Sequence, residues 1–518
     1  MCLIKPYWRR QIGRVPRIEL IIATLAGIAG VAGSFTAAGY TRDFIVAPID
    51  AMVVRMTPGR IVAFMIDTVG EEAHLLHIAL SYVLAVGLLS VAALIGLRLS
   101  SECNRPFLGI LSTGLLSWGI AGAITGLPVL SLSAAGPVTL VAGIGIGINP
   151  LAEPNHNPSR RRVLTASVAT VAAVLGGIGF GRTRTVGNDR SDENRLSGVS
   201  EDTGTEKSDT DGVETMIQHA EQKALDIDGD IPGLVSTFDE FYNVDIAEFD
   251  PELSADDWSV TITGEVDDEL TITFDELTDM STEHRFVTLR CIGESLNGQK
   301  LDNAVWTGTP IKPILDQIDS DGQCQCAMLR AEDGYSIQYP IDALETAFLA
   351  WGMNGEPLPQ SHGRPVRVLL PGHWGETNVK WLSEIEMLNQ EMKGYWEQRG
   401  WHGTGPVNTV AKIWSDTRLD DGHIELAGHA YAGTRGIDRV EISTDGGDSW
   451  AHAELSEPLD GEDVWRQWRH EFEPEPEPEN SRTVVVRAVD KEGNLQQQEQ
   501  TDSFPNGAHG WVEQSIDA

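Results

Sequence analysis

The sequence predicts a multi-domain protein: an N-terminal α-helical transmembrane bundle, an α+β domain, and a C-terminal immunoglobulin-like β-sandwich. Three observations predict it. Apolar segments of spanning length are confined to residues 1–181, whereas residues 225–402 mix short strands and helices without a βαβ repeat. Residues 406–515 alternate apolar and polar side chains between Gly, Asp and Asn turns, the pattern of a two-sheet sandwich.

Charge divides the chain at the same place. Of 518 residues with a formal net charge of −38, residues 1–181 hold 8 acidic and 13 basic side chains. That leaves 68 acidic and 25 basic residues, a net of −43, for 182–518. An anionic surface this dense repels nucleic acid, so no nucleic-acid partner is expected, and it suits a halophilic protein that must stay hydrated in high salt, an ordinary acidic secreted domain being the alternative.

Five segments, 18–39, 73–97, 106–127, 128–149 and 163–180, reach or approach the roughly 20 apolar residues that a span requires. Cationic side chains crowd before the first (Lys5, Arg9, Arg10, Arg14, Arg17), after the second (Arg98, Arg105) and before the fifth (Arg160, Arg161, Arg162). With those groups cytoplasmic, five crossings place the acidic half outside a cell membrane. Residues 44–66, with Arg55, Pro58 and Arg60, read as an extracytoplasmic amphipathic stretch; if they crossed, the orientation would reverse. "SRRRVLTASVATVAAVLGG" (159–177) resembles a twin-arginine export signal, the alternative being three arginines that hold the cytoplasmic end of a helix. Only His74 and His77 are placed to ligate an intramembrane haem, on one span and without a C-x-x-C-H, so no haem is predicted and the bundle is read as an anchor.

The acidic stretch 182–224 reads as a flexible linker. "WSVTITGEVDDELTITFDEL" (258–277) predicts two strands and a short helix, and "STDGGDSW" (443–450) a hairpin. "EPEPEPE" (473–479) reads as a stiff charged connection. Cys324 and Cys326 alternate as on a strand, so their thiols are expected on opposite faces in a packing role, with a two-Cys metal site as the alternative. Cys291, at the end of the apolar run in "HRFVTLRCIGESLNG" (284–298), has no assigned role on spacing alone; a small core thiol is the ordinary reading.

The order and wording of four blocks go further. "FVTLRCIGE", "AWGMNGEPLPQSHGRPVRVLLPG", "GETNVKWLSEIEM" and the sandwich after them resemble the sulfite oxidase family of molybdopterin-dependent oxidoreductases, from about residue 240 onward. The resemblance implies a single-pterin molybdenum cofactor in 225–402, with Cys291 as the protein thiolate on the metal. A soft thiolate suits that metal. It further implies Tyr242 and Asn243 at the start of the pterin contacts, and Asp333 and Tyr335 beside the substrate. His362 and Arg367 are expected on the pterin phosphate, and Asn378, Val379 and Lys380 on the cofactor. Tyr335, Cys291 and Arg367 are the implied catalytic residues, and 403–518 is the implied dimerisation domain of a homodimer.

The implied reaction is oxo transfer to or from a small oxyanion, sulfite to sulfate first, in a membrane-anchored, haloarchaeal member that passes electrons to a separate acceptor. Nitrate or sulfoxide reduction, and an inactive relative kept for binding, are the alternatives. Where the family carries Arg-Asn-His after its aromatic pair, this chain has "NVDIA", which removes a cation expected to bind an oxyanion; Arg290, Arg364, Arg367 and Lys380 remain.

Overall fold

The computed structural model describes residues 17–68, 73–147, 163–175, 206–246, 249–319, 322–474 and 481–517. They form two compact units, one drawn from residues 1–57, 72–202 and 247–250 and the other from 58–71, 203–246 and 251–518. Part of the run 473–479, and Cys2, lie outside the described residues.

The helices of the N-terminal half are α1 (Arg17–Ala38), α2 (Val46–Met56), α3 (Gly59–Thr68), α4 (Ala73–Cys103), α5 (Pro106–Thr125), α6 (Leu132–Ile146) and α7 (Val163–Leu175). Among the described residues, Arg17–Ala38, Leu75–Cys103 and Pro106–Thr125 are long and apolar enough to cross a membrane, and Leu132–Ile146 and Val163–Leu175 are apolar helices of fewer described residues. Residues 44–66 fall in α2 and α3, two short helices broken at Pro58. In the first unit, α1 packs on α4 and α6 through small side chains (Ala23, Ala26, Ala29, Ala85, Ala93), which let backbones approach closely. Asp50 of α2 is buried there, 2.9 Å from His77 Nδ1 and accepting a 2.9 Å hydrogen bond from Ser81 Oγ.

The predicted linker is corrected by α8 (Glu206–Lys223). Val213, Met216, Ile217 and Ala220 recur at helical spacing and pack into a core with Trp465 and Leu301. Burial of that stripe overrides the acidic composition.

Two sheets build the α+β domain. The first runs β2 (Leu270–Thr273), β1 (Ser259–Gly264), β10 (Leu382–Leu388), β5 (Cys326–Ala331), β6 (Ser336–Pro340), with β1 and β10 parallel and Thr261 opposite Glu384. The second runs β3 (Glu283–Arg290), β4 (Leu301–Pro310), β7 (Phe348–Met353), β8 (Glu356–Pro357), with β9 (Arg367–Leu369) also on β7. As predicted, β1 and β2 are followed by a short helix, α9 (Phe274–Thr278), which opens on a capping box between Thr273 and Glu276.

Beyond residue 406 the chain forms two antiparallel sheets. One holds β11 (Val410–Ala411), β12 (Ser415–Arg418), β13 (Ile424–Tyr431), β16 (Glu454–Leu455) and β17 (Arg466–Phe472). The other holds β14 (Ile437–Ser443), β15 (Ala451–His452), β18 (Ser481–Asp490) and β19 (Val512–Asp517). Their facing side chains, among them Leu426, Trp468, Val440 and Val486, share one core. The predicted hairpin is present: β14 turns into β15 with Glu441 opposite His452.

Cys324 and Cys326 correct the sequence expectation, because they form a disulfide. Cys324 precedes β5 rather than lying in it, and Gln325 between them sits at φ 49°, a left-handed kink that brings both thiols to one side.

Candidate active site

Strand β3 is buried along its last five residues and delivers Cys291 into a turn closed by the Cys291 N–H on the Lys300 carbonyl at 3.0 Å. Strand alternation sends the neighbouring side chains apart. Cys291, 7% exposed, lines the main pocket of this unit, which encloses about 860 Å³ including its open mouth. Arg290, 0% exposed, points away, into the seam between the α+β domain and the C-terminal sheets. There Arg290 Nε donates to Glu294 Oε1 at 2.7 Å, and its two terminal nitrogens donate to the carbonyls of Asn408 and Ala508. Of the four cations weighed for an oxyanion, Arg290 is therefore committed elsewhere.

The opposite wall comes from the turn after β8 and from the segment that enters β10. Gly363 at φ 108° allows the tight reversal that seats His362 near Lys380; a Cβ there would lie 2.9 Å from Lys380 Cα. Arg367, at the start of β9, donates from Nη1 to the His362 carbonyl and from Nη2 to the Asn378 carbonyl, each at 3.1 Å. Its guanidinium lies over Trp306. Asn378 is fixed by accepting from Leu370 N–H at 2.7 Å. Lys380 Nζ donates to the Ser361 carbonyl at 2.7 Å, to Asp245 Oδ2 at 3.0 Å and to Asn243 Oδ1. Gly375 is required for the approach of Tyr242, whose hydroxyl would lie 2.5 Å from a Cβ at that position.

Tyr242, Cys291, Asp333, Tyr335, His362, Arg367, Asn378, Val379 and Lys380 thus line one pocket. Asn243 is not among its lining residues and accepts a hydrogen bond from Lys380 Nζ, which is. Asp333 acts on the turn, accepting from Tyr335 N–H at 2.9 Å. Burial sets the protonation states here. It pushes the Cys291 thiol up, and holds the Tyr335 hydroxyl well above its usual range. Burial, with Arg367 and Lys380 beside it, lowers His362 to about 3, so the imidazole is neutral. Burial lowers Arg367 to about 10, which still leaves it charged.

Three wall residues carried no sequence signal. Glu376, Trp396 and Trp401 close the pocket on the Tyr335 side. The Tyr335 hydroxyl donates to the Glu376 carbonyl at 2.7 Å. Both carboxylate oxygens of Glu376 are buried without a hydrogen-bond partner of ordinary geometry among the described residues, and burial raises its pKa to about 8. A glutamate in "GETNVKW" is read as surface by default; only the fold reveals its burial.

The pocket's donor set fits a metal that arrives with its own ligands. Among the described residues no group of three or more His, Cys, Asp or Glu side chains is placed to hold an ion. The buried Nε of Arg367 has no hydrogen-bond partner among the described residues, and His362 and Lys380 stand close by. A planar guanidinium with a free Nε suits an oxyanion such as phosphate, and the Cys291 thiol lines the same pocket.

Residues 247–396 match the oxidoreductase molybdopterin binding domain family, and residues 406–506 the Mo-co oxidoreductase dimerisation domain family. The mitochondrial sulfite oxidase of Rattus norvegicus is 25% identical over 301 residues, covering 48% of this chain and 54% of that protein. The sulfite oxidase of Arabidopsis thaliana is 25% identical over 301 residues, 46% of this chain and 76% of its own length. The NADH nitrate reductase of Solanum lycopersicum is 24% identical over 274 residues, 40% of this chain and 30% of its own. The chain spans 54% and 50% of the first two curated relatives it matches, the rat and mouse mitochondrial sulfite oxidases. With both matched domains in order, and the Cys291 thiol and the Arg367 guanidinium lining one pocket of the first, residues 247–506 are similar to the sulfite oxidase family of molybdopterin-dependent oxidoreductases.

Proposed function

We propose that this chain is a membrane-anchored molybdenum-cofactor oxidoreductase that transfers an oxo group to or from a small oxyanion, sulfite to sulfate first. The observation that carries the reading is the Cys291 thiol facing the His362, Arg367 and Lys380 anion site across one pocket. In this reading His362, Arg367 and Lys380 hold the pterin phosphate, and Tyr242, Asn243, Asn378 and Val379 complete the cradle. Cys291 binds the metal as a thiolate, and Asp333 orients Tyr335 toward the substrate. When bound, the cofactor supplies a two-electron couple for oxo transfer. The chain's own part is to fix the thiolate on a rigid strand end, keep His362 neutral as a hydrogen-bond donor, and exclude water with Trp396 and Trp401.

Three long apolar helices support the anchor, and the density of arginine before 163 supports an extracytoplasmic catalytic domain. The surplus of acidic residues supports a haloarchaeal, high-salt setting. The dimerisation-domain match at 406–506 supports a homodimer through 403–518. In this reading electrons pass to a separate acceptor.

One observation favours a second reading. With Arg290 turned away and a buried, protonated Glu376 beside Tyr335, that end of the pocket suits a neutral S-oxide as well as an anion. The deciding experiment loads the full chain with cofactor in a producing host, measures molybdenum, and assays at high salt. Sulfite is offered with an oxidised dye, and nitrate and sulfoxides with a reduced one. Sulfite turnover supports the first reading and sulfoxide turnover the second; molybdenum-free, inactive protein sinks both.

A further inference from the structure

The turn that carries Cys291 is held from the next domain as well as from its own. Lys412, 0% exposed and following β11, places Nζ 2.6 Å from both carboxylate oxygens of Glu294, and donates to the Gly298 carbonyl at 2.6 Å. Glu294 Oε2 in turn accepts the Lys300 N–H at 3.0 Å, and the Lys300 carbonyl accepts the Cys291 N–H at 3.0 Å. Asn297 pairs reciprocally with the backbone of Ile413, donating to its carbonyl at 2.8 Å and accepting its N–H at 2.9 Å. A continuous series of hydrogen bonds therefore runs from Lys412 to the backbone of Cys291.

The C-terminal segment 408–413 thus anchors side chains and carbonyls on both arms of this turn, beside the turn's own hydrogen bonds. Burying Arg290, Glu294 and Lys412 together is an expensive way merely to join two domains, since an apolar seam stabilises as well. What ion pairs with several fixed hydrogen bonds add is a unique geometry, and these three are buried where salt screens them little.

We propose that Lys412, acting through Glu294, is a positioning residue for Cys291, so that the C-terminal domain sets the geometry of the thiol at the cofactor pocket. The proposal rests on the reading of Cys291 as the metal ligand for its consequence, but not for its test. Its first readout is the alkylation of Cys291 by iodoacetamide in full-length protein from a host that makes no cofactor, with Cys103 of the other unit as internal reference. Lys412→Met is expected to raise the Cys291 rate about tenfold or more relative to Cys103, at a temperature well below unfolding, because the turn opens locally. Lys412→Arg is expected to restore most of the protection. An unchanged ratio in Lys412→Met overturns the proposal, as does a speed-up shared equally by Cys103. If Lys412→Met does not fold, Asn297→Ala loosens the same turn more mildly, and the same ratio decides. In loaded protein, Lys412→Met is expected to shift the electron-paramagnetic signature of the metal at unchanged metal content. A parent protein with no molybdenum would reject the ligand reading while leaving the alkylation result standing.

Discussion

The hydroxyl of Tyr335 donates a 2.7 Å hydrogen bond to the backbone carbonyl of Glu376, tying a strand-end turn of one sheet to the segment that carries the cofactor-side residues. Two elements of the candidate site, one expected from sequence and one not, are thus tied directly by a hydrogen bond. Tyr335→Phe removes that bond while keeping the ring. It is expected to lower kcat/KM about tenfold, the worth of one hydrogen bond, with cofactor content unchanged. Elemental analysis beside steady-state kinetics checks it; loss of molybdenum in the variant would make Tyr335 a structural residue.

Glu376 gives a pH dependence with a defined sign. Its folded pKa, about 8, lies above the ordinary carboxylate value because burial disfavours the anion. Stability from the protonated form is fully present below the unfolded pKa and declines as pH rises from there toward about 8. The decline approaches roughly 1.4 kcal/mol per pH unit at most. Glu376→Gln removes this term. The variant's melting temperature should therefore gain on the parent between about pH 5 and pH 8, measured on cofactor-free protein. Parallel curves would contradict the buried, neutral carboxyl.

Arg367 is placed to grip a phosphate with an unused Nε, while its other nitrogens hold backbone carbonyls. Arg367→Lys keeps a charge but loses the planar fork, and is expected to cut cofactor retention about tenfold; Arg367→Met should cut it further. Pterin released on denaturation, read by fluorescence per mole of chain, measures both. Full retention in Arg367→Met would remove Arg367 from the cofactor site.

The net charge of −43 over residues 182–518 predicts a salt requirement. Raising potassium chloride from about 0.1 M to about 2 M shortens the screening length several-fold and relieves self-repulsion. A melting temperature higher by about 4 °C or more is expected, about 1–2 kcal/mol for a unit of this size. A flat response would mean that the acidic surface is neutral in its effect.

Much of this was legible before the fold. Period-two alternation located β1 and β2, and the block wording located nine of the pocket's lining residues, from Tyr242 to Lys380. What sequence concealed has particular causes. Helix α8 lies in acidic composition, yet its stripe of Val213, Met216, Ile217 and Ala220 was there to be read. The disulfide of Cys324 and Cys326 depends on one backbone kink at Gln325, which no pattern encodes. Arg290 pairs with Glu294 four residues on, but what turns it from the pocket lies 118 and 218 residues away, the carbonyls of Asn408 and Ala508. Glu376 is packed against Gly403, about 27 residues downstream, a contact that no local pattern encodes.

The central claim is that Cys291 ligates molybdenum in this pocket. Molybdenum K-edge absorption on loaded parent and on Cys291→Ser tests it most directly. The parent is expected to show three sulfur neighbours, two from the single pterin and one from Cys291, and the variant two, with its fold intact and its turnover lost. The same sulfur count in both proteins, or full activity in the variant, would contradict it.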